Sequence, residues 1–414
     1  MTLTNFDQHL QKYAEIAVKI GLNLKDGQRL IVNAPVQSAK LAQLIAASAY
    51  QTGCRFVDVL YRDEQVKLAR HRYAPRDSFD EFPTYITDGI LQHTQKGGAY
   101  LQITGEDPDL LRGQDPDLVA LAERTQRLHM KPVYDLLHRN GFNWAIVGYP
   151  TPSWASKVFP DETPEQQEQC LWEALFKVCR VDQADPVAAW QQHIADLRAR
   201  CNYLTGRQYQ ALHLTAPGTD LIIGLAERHR WMGGSIQSES GIDFVPNLPT
   251  EEVFTLPHRQ RIDGHVSASK PLSYSGTLID GFSLTFSNGR VTSLHAERGE
   301  ETLRKMVQID EGMSSLGEVA LVPHSSPVSQ SGMLFYNTLL DENAACHVAL
   351  GSGLNFCLED GENLSEEEYL ARGGNPSLGH TDFMIGSDEM DIDGVLPGGQ
   401  REPVMRQGEW AFRP

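Results

Sequence analysis

RLIVNAPVQSAKLAQLIAASAYQTGCRFVDVLYRD, residues 29–63, decides the fold of the first half of the chain. The apolar run 29–35 ends at a proline and predicts a strand. Residues 38–53 predict a helix with an alanine and leucine face that stops at a glycine. Residues 54–63 are rich in strand-forming side chains and predict a second strand. A strand, helix, strand rhythm is typical of a mostly parallel sheet with helices on its faces.

The same rhythm continues and then changes. Further strands are predicted at 98–108 and 143–150, whereas short strands alternate with turn signals in the second half, where Asn288-Gly289 predicts a tight hairpin. We therefore predict an α/β N-terminal domain over residues 1–205, with a mostly parallel sheet. An α+β, largely antiparallel C-terminal domain is predicted over residues 206–414, and it carries the candidate metal-binding and catalytic residues described below.

Composition limits the classes of partner. The 414 residues carry a net charge of −18, which argues against nucleic acid and anionic membranes as partners. The N-terminus has helical spacing rather than the pattern of a signal peptide, and no apolar run is long enough to span a membrane. The six cysteines form no CxxC pair, so we expect reduced thiols and a cytoplasmic location.

Several catalytic motifs are missing from the sequence. It contains no GxxxxGK[ST], no HExxH, no GxSxG, and no GxGxxG after the first predicted strand. These absences argue against the phosphate-binding loop, the common zinc protease helix and the serine nucleophile elbow.

Ligand-type residues instead gather at the starts of apolar segments in the second half. His380 and Asp382 lie two apart on a predicted strand, so their side chains project from the same face. Glu342 and His347 are five apart, and a turn between them is needed to bring them together. The set is Glu251 and Glu252 in NLPTEEVFT (247–255), Glu318 in LGEVALV (316–322), Glu342 and His347 in DENAACHVALG (341–351), and His380 and Asp382 in GHTDFMIG (379–386).

Two interpretations of this set remain open from the residues alone. Each acid could cap or flank a strand at the surface, and His347 could be a hydrogen-bonded core histidine. Taken together, the two histidines and four of the carboxylates, with either Glu251 or Glu252 among them, match a site for two ions of Zn²⁺, Co²⁺ or Mn²⁺, with one carboxylate bridging them. Such ions convert a bound water into a hydroxide-like nucleophile near neutral pH.

The ordered run NLPTEEVFT, LGEVALV, TLLDENAACHVALGSG and GHTDFMIGS resembles the metallo-aminopeptidases of the aminopeptidase T / aminopeptidase S family. The resemblance covers essentially the whole chain and includes DGQRLIVNAP and PGTDLIIGL. It implies a homodimeric exopeptidase that removes N-terminal amino acids from peptides with a free N-terminus. It also implies two divalent metal ions per chain, drawn from Zn²⁺, Co²⁺, Mn²⁺ or Mg²⁺.

The resemblance also implies a role for each residue of the set except Glu251, whose position is often not acidic in the family. Glu252 is expected to be a metal ligand, and Glu318 the bridging ligand with a catalytic role. Glu342 and His347 are expected to ligate the metals or act on the bound water, with Glu342 catalytic. His380 and Asp382 are expected to complete the metal site.

One position departs from the family pattern. The family usually has a tyrosine seven residues after the histidine of D-E-N-x-x-x-H, where this chain has Leu354. A tyrosine hydroxyl can donate a hydrogen bond to a tetrahedral oxyanion, and leucine cannot. Two alternatives to an aminopeptidase therefore stay open: a metal- or peptide-binding paralogue with weak catalysis, and a metal-dependent amidase.

Overall fold

The computed structural model describes residues 3–274 and 277–414, which form two compact units. The first unit comprises the chain up to Gln192 together with Ser235–Pro249. The second comprises His193–Gly234 together with Thr250–Pro414. The chain thus returns once to the first unit after it has entered the second. The predicted join near residue 205 falls within a helix that begins in the first unit and ends in the second.

The helices of the described residues are unevenly distributed, because the longer ones lie before residue 208. They are α1 (Leu3–Ile16), which continues into a π-helical turn at Ala17–Gly21, α2 (Ala39–Gln51), α3 (Glu64–Tyr73), α4 (Thr84–Thr94), α5 (Pro116–His138), α6 (Pro152–Val158), α7 (Pro164–Val178), α8 (Pro186–Arg207), α9 (Glu300–Val307), α10 (Pro327–Ser331), α11 (Thr338–Asp341) and α12 (Glu366–Ala371).

Most strands follow residue 210. They are β1 (Arg29–Pro35), β2 (Phe56–Arg62), β3 (Ala99–Thr104), β4 (Trp144–Gly148), β5 (Ala211–Ala216), β6 (Thr219–Leu225), β7 (Met232–Gly233), β8 (Ile236–Gln237), β9 (Asp243–Phe244), β10 (Asn247–Leu248), β11 (Val253–Thr255), β12 (Pro257–Ser267), β13 (Leu272–Tyr274), β14 (Thr277–Ser287), β15 (Arg290–Arg298), β16 (Leu316–Leu321), β17 (His347–Gly351), β18 (His380–Met384), β19 (Asp391–Val395), β20 (Arg401–Arg406) and β21 (Glu409–Trp410).

The first unit is built on a parallel sheet with the strand order β10-β4-β3-β1-β2. Its central strands are buried, as is typical of parallel sheets, and Leu30, Val32, Leu101 and Val147 are completely inaccessible to solvent. Helices separate the successive strands along the chain, so the predicted α/β class of this half is confirmed.

The second unit contains two antiparallel sheets that share one hydrophobic core. The larger has the order β13-β14-β12-β6-β5-β19-β20-β21, with β15 paired to β14, and the smaller has the order β18-β17-β16-β11-β7. Phe282 of the larger sheet and Phe383 of the smaller lie in the same buried cluster, with ring centroids 5.3 Å apart. This arrangement confirms the predicted largely antiparallel α+β class.

The hairpin between β14 and β15 turns at Asn288-Gly289, as the sequence predicts. Both residues have positive φ, 49° at Asn288 and 81° at Gly289. Two consecutive positive φ values are what a tight two-residue hairpin turn requires, and Asn-Gly tolerates them best. None of the helices in the described residues is long and apolar enough to cross a membrane.

Candidate metal centre

Five ligand-type side chains converge on the smaller sheet of the second unit. Glu318 lies on β16, His347 begins β17, and His380 and Asp382 lie on β18. Glu252 immediately precedes β11. Because β18, β17, β16 and β11 are consecutive neighbours in the sheet, segments far apart in sequence supply one cluster.

Strand register places these side chains on one face of the sheet. Ala349 of β17 lies opposite both Glu318 of β16 and Asp382 of β18, so the three residues form one row across the sheet. Side chains directly opposite each other project from the same face. The small side chain of Ala349 therefore lies between the two carboxylates in this row.

The cluster resolves into two groups of three that share Glu318. Glu252, Glu318 and His347 form one group, and Glu318, His380 and Asp382 form the other. Within each group the candidate ligand atoms all lie within 4.8 Å of one another. We call these groups the His347 triad and the His380 triad.

The two oxygens of Glu318 face different histidines. Its Oε1 lies 3.8 Å from Nε2 of His347, and its Oε2 lies 3.5 Å from Nε2 of His380. His347 Nε2 is also 3.0 Å from Oε2 of Glu252, and His380 Nε2 is 3.3 Å from Oδ1 of Asp382. Glu318 therefore occupies the position between the two triads.

Backbone carbonyls orient both imidazole rings. Nδ1 of His347 donates to the carbonyl of Ala345 at 3.1 Å, and Nδ1 of His380 donates to the carbonyl of Ser352 at 2.7 Å. A carbonyl only accepts, so it fixes the proton on Nδ1 and leaves the lone pair of neutral Nε2 directed at the carboxylates. This is the outer-sphere arrangement usual for metal-binding histidines.

The electrostatics favour positive charge between the acids. Burial and the neighbouring Asp382 raise the pKa of the Glu318 carboxyl to about 8. Burial lowers the pKa of His347, but the nearby Glu252 carboxylate outweighs it and raises that pKa to about 10. Burial of His380 is likewise outweighed by Asp382, which raises the pKa of His380 to about 10. In each case a cation close to the carboxylates is strongly stabilised.

The residues present fit divalent metal ions. Glu252 Oε2 and Asp382 Oδ1 are buried and have no hydrogen-bond partner among the described residues, although each lies near an imidazole. A buried carboxylate oxygen without a partner is costly unless a cation compensates it. Carboxylate and imidazole donors together suit Zn²⁺, Co²⁺ and Mn²⁺.

Glu342 lies beside the triads but belongs to neither of them. It begins a 3₁₀ turn, Glu342–Ala344, and this turn supplies the reversal that the five-residue spacing to His347 requires. Burial, together with Glu252 and Asp382, raises the pKa of Glu342 well above its ordinary value. Glu342 is therefore close to the site without being grouped with the candidate ligands.

Leu354 lies between β17 and the 3₁₀ turn Asn355–Cys357, and packs against a small buried cluster. Tyr369 belongs to that cluster, and its buried hydroxyl has no hydrogen-bond partner among the described residues. Cys346 is also buried, and its Sγ donates to the carbonyl of Val322 at 3.3 Å, which fits the packing role expected from its position.

Sequence reasoning missed the groups that hold the ligands in place. The carbonyls of Ala345 and Ser352 orient the histidines, and Asn343 joins two segments that carry acids. Glu251, to which the family resemblance gives no role, is 2% exposed, and its Oε2 lies 3.5 Å from Nε2 of His193. Backbone carbonyls leave no trace in residue identity, so only the burial of a polar residue between two motifs could have pointed to Asn343.

The fold and the site together are those of a metallopeptidase, and comparison with known proteins gives the family. The model of the thermophilic metalloprotease (M29) family matches residues 6–410. The chain belongs to this family, which confirms the resemblance found in the sequence.

Two relatives and one solved structure match this chain over nearly their whole length. It is 45% identical to "Aminopeptidase 2" of Geobacillus stearothermophilus over 99% of each chain. It is 43% identical to "Aminopeptidase T" of Thermus thermophilus over 98% of this chain and 99% of the relative. The solved structure described as wild-type AmpT from Thermus thermophilus matches with a TM-score of 0.93 and 42% identity, over 98% of this chain and 100% of that one.

Proposed function

We propose that this chain is a metal-dependent aminopeptidase that holds two divalent ions, one in each triad, with Glu318 as the shared ligand. The observation that carries the proposal is that the two oxygens of Glu318 face His347 and His380 separately. Glu252 and His347 would complete one ion's protein ligands, and His380 and Asp382 the other's. Family membership and the aminopeptidase names of the relatives support the reaction.

When bound, the two ions would polarise the scissile carbonyl and lower the pKa of water. The chain's own residues would do the rest. The net charge of −18 on the chain would favour the approach of a peptide's protonated N-terminus. Glu342, which stands outside the triads, would accept the proton of the attacking water on its carboxylate and return it to the leaving nitrogen.

The experiment measures bound metal per chain alongside hydrolysis of leucyl-p-nitroanilide, on protein stripped with chelator and refilled with Co²⁺, Zn²⁺, Mn²⁺ or Mg²⁺. We expect close to two ions per chain and activity that returns on refilling. No stoichiometric metal would mean that these residues are not a metal site.

A blocked substrate separates the alternatives. An aminopeptidase should hydrolyse leucyl-p-nitroanilide and not its N-acetyl derivative, whereas an amidase should tolerate the block. A binding paralogue should hold metal and hydrolyse neither compound. Leu354 cannot donate a hydrogen bond to an oxyanion. Turnover of leucyl-p-nitroanilide therefore also tests whether the other groups of the site stabilise the oxyanion without a tyrosine at this position.

We also propose that the protein acts on peptides as a homodimer in the cytoplasm. The family resemblance supports the dimer, and the six free cysteines support a reducing compartment. Light scattering on the purified protein tests the dimer, with a mass near twice 46.1 kDa expected.

A further inference from the structure

A cavity of about 110 Å³ lies beside the candidate metal centre, within the second unit. Asp382 and Glu342 form the wall nearest to the site, Leu272, Leu334 and Met384 line an apolar side, and Ser273, Asn337 and Thr338 add polar groups. A concave space that ends at a catalytic group is the usual form of a ligand subsite.

Strand periodicity fixes how close this cavity is to the metal ligands. His380, Asp382 and Met384 alternate along β18, so all three side chains project from the same face. Met384 also lies directly opposite His347 on β17. The apolar surface therefore begins only about 7 Å along the strand from Asp382.

One of the three acids that line the cavity, Asp341, already accepts hydrogen bonds on both oxygens. Asp341 lines the cavity, but its Oδ1 accepts from the backbone N–H of Phe335 at 2.7 Å and its Oδ2 from that of Asn337 at 2.9 Å. Both of its oxygens thus hold the loop that precedes α11. The charge of Lys270 also acts on this carboxylate. The other two acids of the cavity wall, Asp382 and Glu342, lie at its end next to the candidate metal centre.

We propose that this cavity binds the side chain of the substrate's first residue, and that Leu334 and Met384 limit the size of that side chain to about that of leucine. The inference rests on the proposed function. The α-amine and the scissile carbonyl of a peptide flank the α-carbon of the first residue, so holding both at the triads places its side chain within a few ångströms of Asp382. A cavity of about 150 Å³ holds a benzene ring, so this smaller space favours a leucyl over a phenylalanyl side chain.

Enlarging the cavity tests the assignment. We would compare kcat/KM for leucyl-, phenylalanyl- and glycyl-p-nitroanilide in the wild-type protein, Leu334→Ala and Met384→Ala. The phenylalanyl to leucyl ratio should rise about tenfold or more, the effect of changing one or two methylenes in a specificity pocket. The ratio of leucyl to glycyl kcat/KM should fall in both variants, because the leucyl side chain loses contacts in the enlarged cavity whereas glycine places nothing in it.

Two controls separate a change in the cavity from a general loss of folding or activity. Leu396→Ala removes a similar, partly buried side chain outside the cavity and should leave the ratio unchanged. A series of leucyl dipeptides that differ only in the second residue should keep its wild-type order in Leu334→Ala and Met384→Ala. A change confined to the dipeptide series would overturn the assignment, because the cavity would then bind the leaving side of the peptide.

Binding of free L-leucine and L-phenylalanine, measured by calorimetry on the metal-loaded protein, gives a second readout. We expect the wild-type protein to prefer leucine and the variants to lose that preference. If the wild-type protein hydrolyses leucyl-p-nitroanilide but both ratios are unchanged in both variants, the inference fails and the proposed function stands. If the wild-type protein neither hydrolyses nor binds these compounds, both fail.

Discussion

The side-chain oxygen of Asn343 accepts a 2.7 Å hydrogen bond from the backbone N–H of Glu251. Asn343 is completely buried, and its Nδ2 donates to the carbonyl of Leu339 at 3.1 Å. One amide therefore joins the segment that carries Glu252 to the turn that begins with Glu342. Asn343 contacts no ligand atom in these hydrogen bonds, so it acts as a positioning residue for both acids.

Replacing Asn343 with leucine should weaken metal binding more than the loss of stability explains. Each backbone group left unsatisfied costs about 1–3 kcal/mol, and loss of an outer-sphere partner lowers metal affinity by about 10–100-fold. Competition with a chelator of known affinity measures the metal affinity, and urea unfolding measures the free energy of unfolding. Asn143→Leu is the matched control, since Asn143 is a buried asparagine of the first unit that donates to the carbonyl of Leu22. Equal metal affinity in the two variants would contradict the positioning role.

Glu318→Gln should remove activity and metal together. The amide keeps the size of the side chain but loses the charge that the two triads share, so we expect fewer than two ions per chain. We expect activity to fall by more than about 100-fold, the upper loss seen when only an outer-sphere partner is removed. Elemental analysis and the leucyl-p-nitroanilide assay measure the two quantities. Glu64→Gln, at a buried glutamate of the first unit, should change neither. Wild-type turnover in Glu318→Gln would refute the bridging assignment.

The two ions should leave in a defined order during chelation. The side chain of His380 is 31% exposed, whereas that of His347 is 1% exposed. A chelator can therefore approach the His380 triad first, and metal content should fall in two phases with the faster one assigned to that triad. His380→Ala should remove the fast phase and His347→Ala the slow one. Loss of both ions in a single phase from the wild-type protein would contradict this order.

His229 should make the protein lose stability as the solution becomes acidic. Burial lowers the pKa of this imidazole to about 4, and its Nδ1 bonds to the carbonyl of Ala226. The folded state therefore keeps the imidazole neutral. The contribution of His229 to the free energy of unfolding is complete above the unfolded pKa of about 6.5 and declines as pH falls toward 4. The loss between pH 8 and pH 5 should be about 2 kcal/mol.

Urea unfolding of the wild-type protein and His229→Asn at pH 8 and pH 5 measures this contribution. Asparagine keeps a donor for the Ala226 carbonyl but does not titrate. The variant should therefore lose about 2 kcal/mol less than the wild-type protein over the same pH interval. An identical pH dependence in the two proteins would show that His229 is not the group responsible.

Local patterns predicted the elements of the fold well where the pattern repeats within a few residues. The run 29–35 matches β1, and the alternation in GHTDFMIG places His380 and Asp382 on one strand face. These predictions succeed because strand geometry is set by neighbouring residues.

The register between strands that are far apart in the chain could not be predicted from the sequence. Asn247–Leu248 pairs in parallel with β4 of the first unit. This strand has two residues and is followed by a proline, so it is too short to show the alternating pattern from which a strand is predicted. The row formed by Glu318, Ala349 and Asp382 depends on the alignment of three strands, and a slip of one residue would turn a side chain to the opposite face.

The strand order of the smaller sheet gives its two triads unequal protection. β16, which carries Glu318, is buried along its whole length and lies between β17 and β11, whereas β18 pairs only with β17 in this sheet. Backbone amides of β18 should therefore exchange with deuterium well before those of β16, because an outer strand frays while the interior of the sheet stays closed. Each fraying event would carry His380 and Asp382 away from Glu318 and leave Glu318 in place.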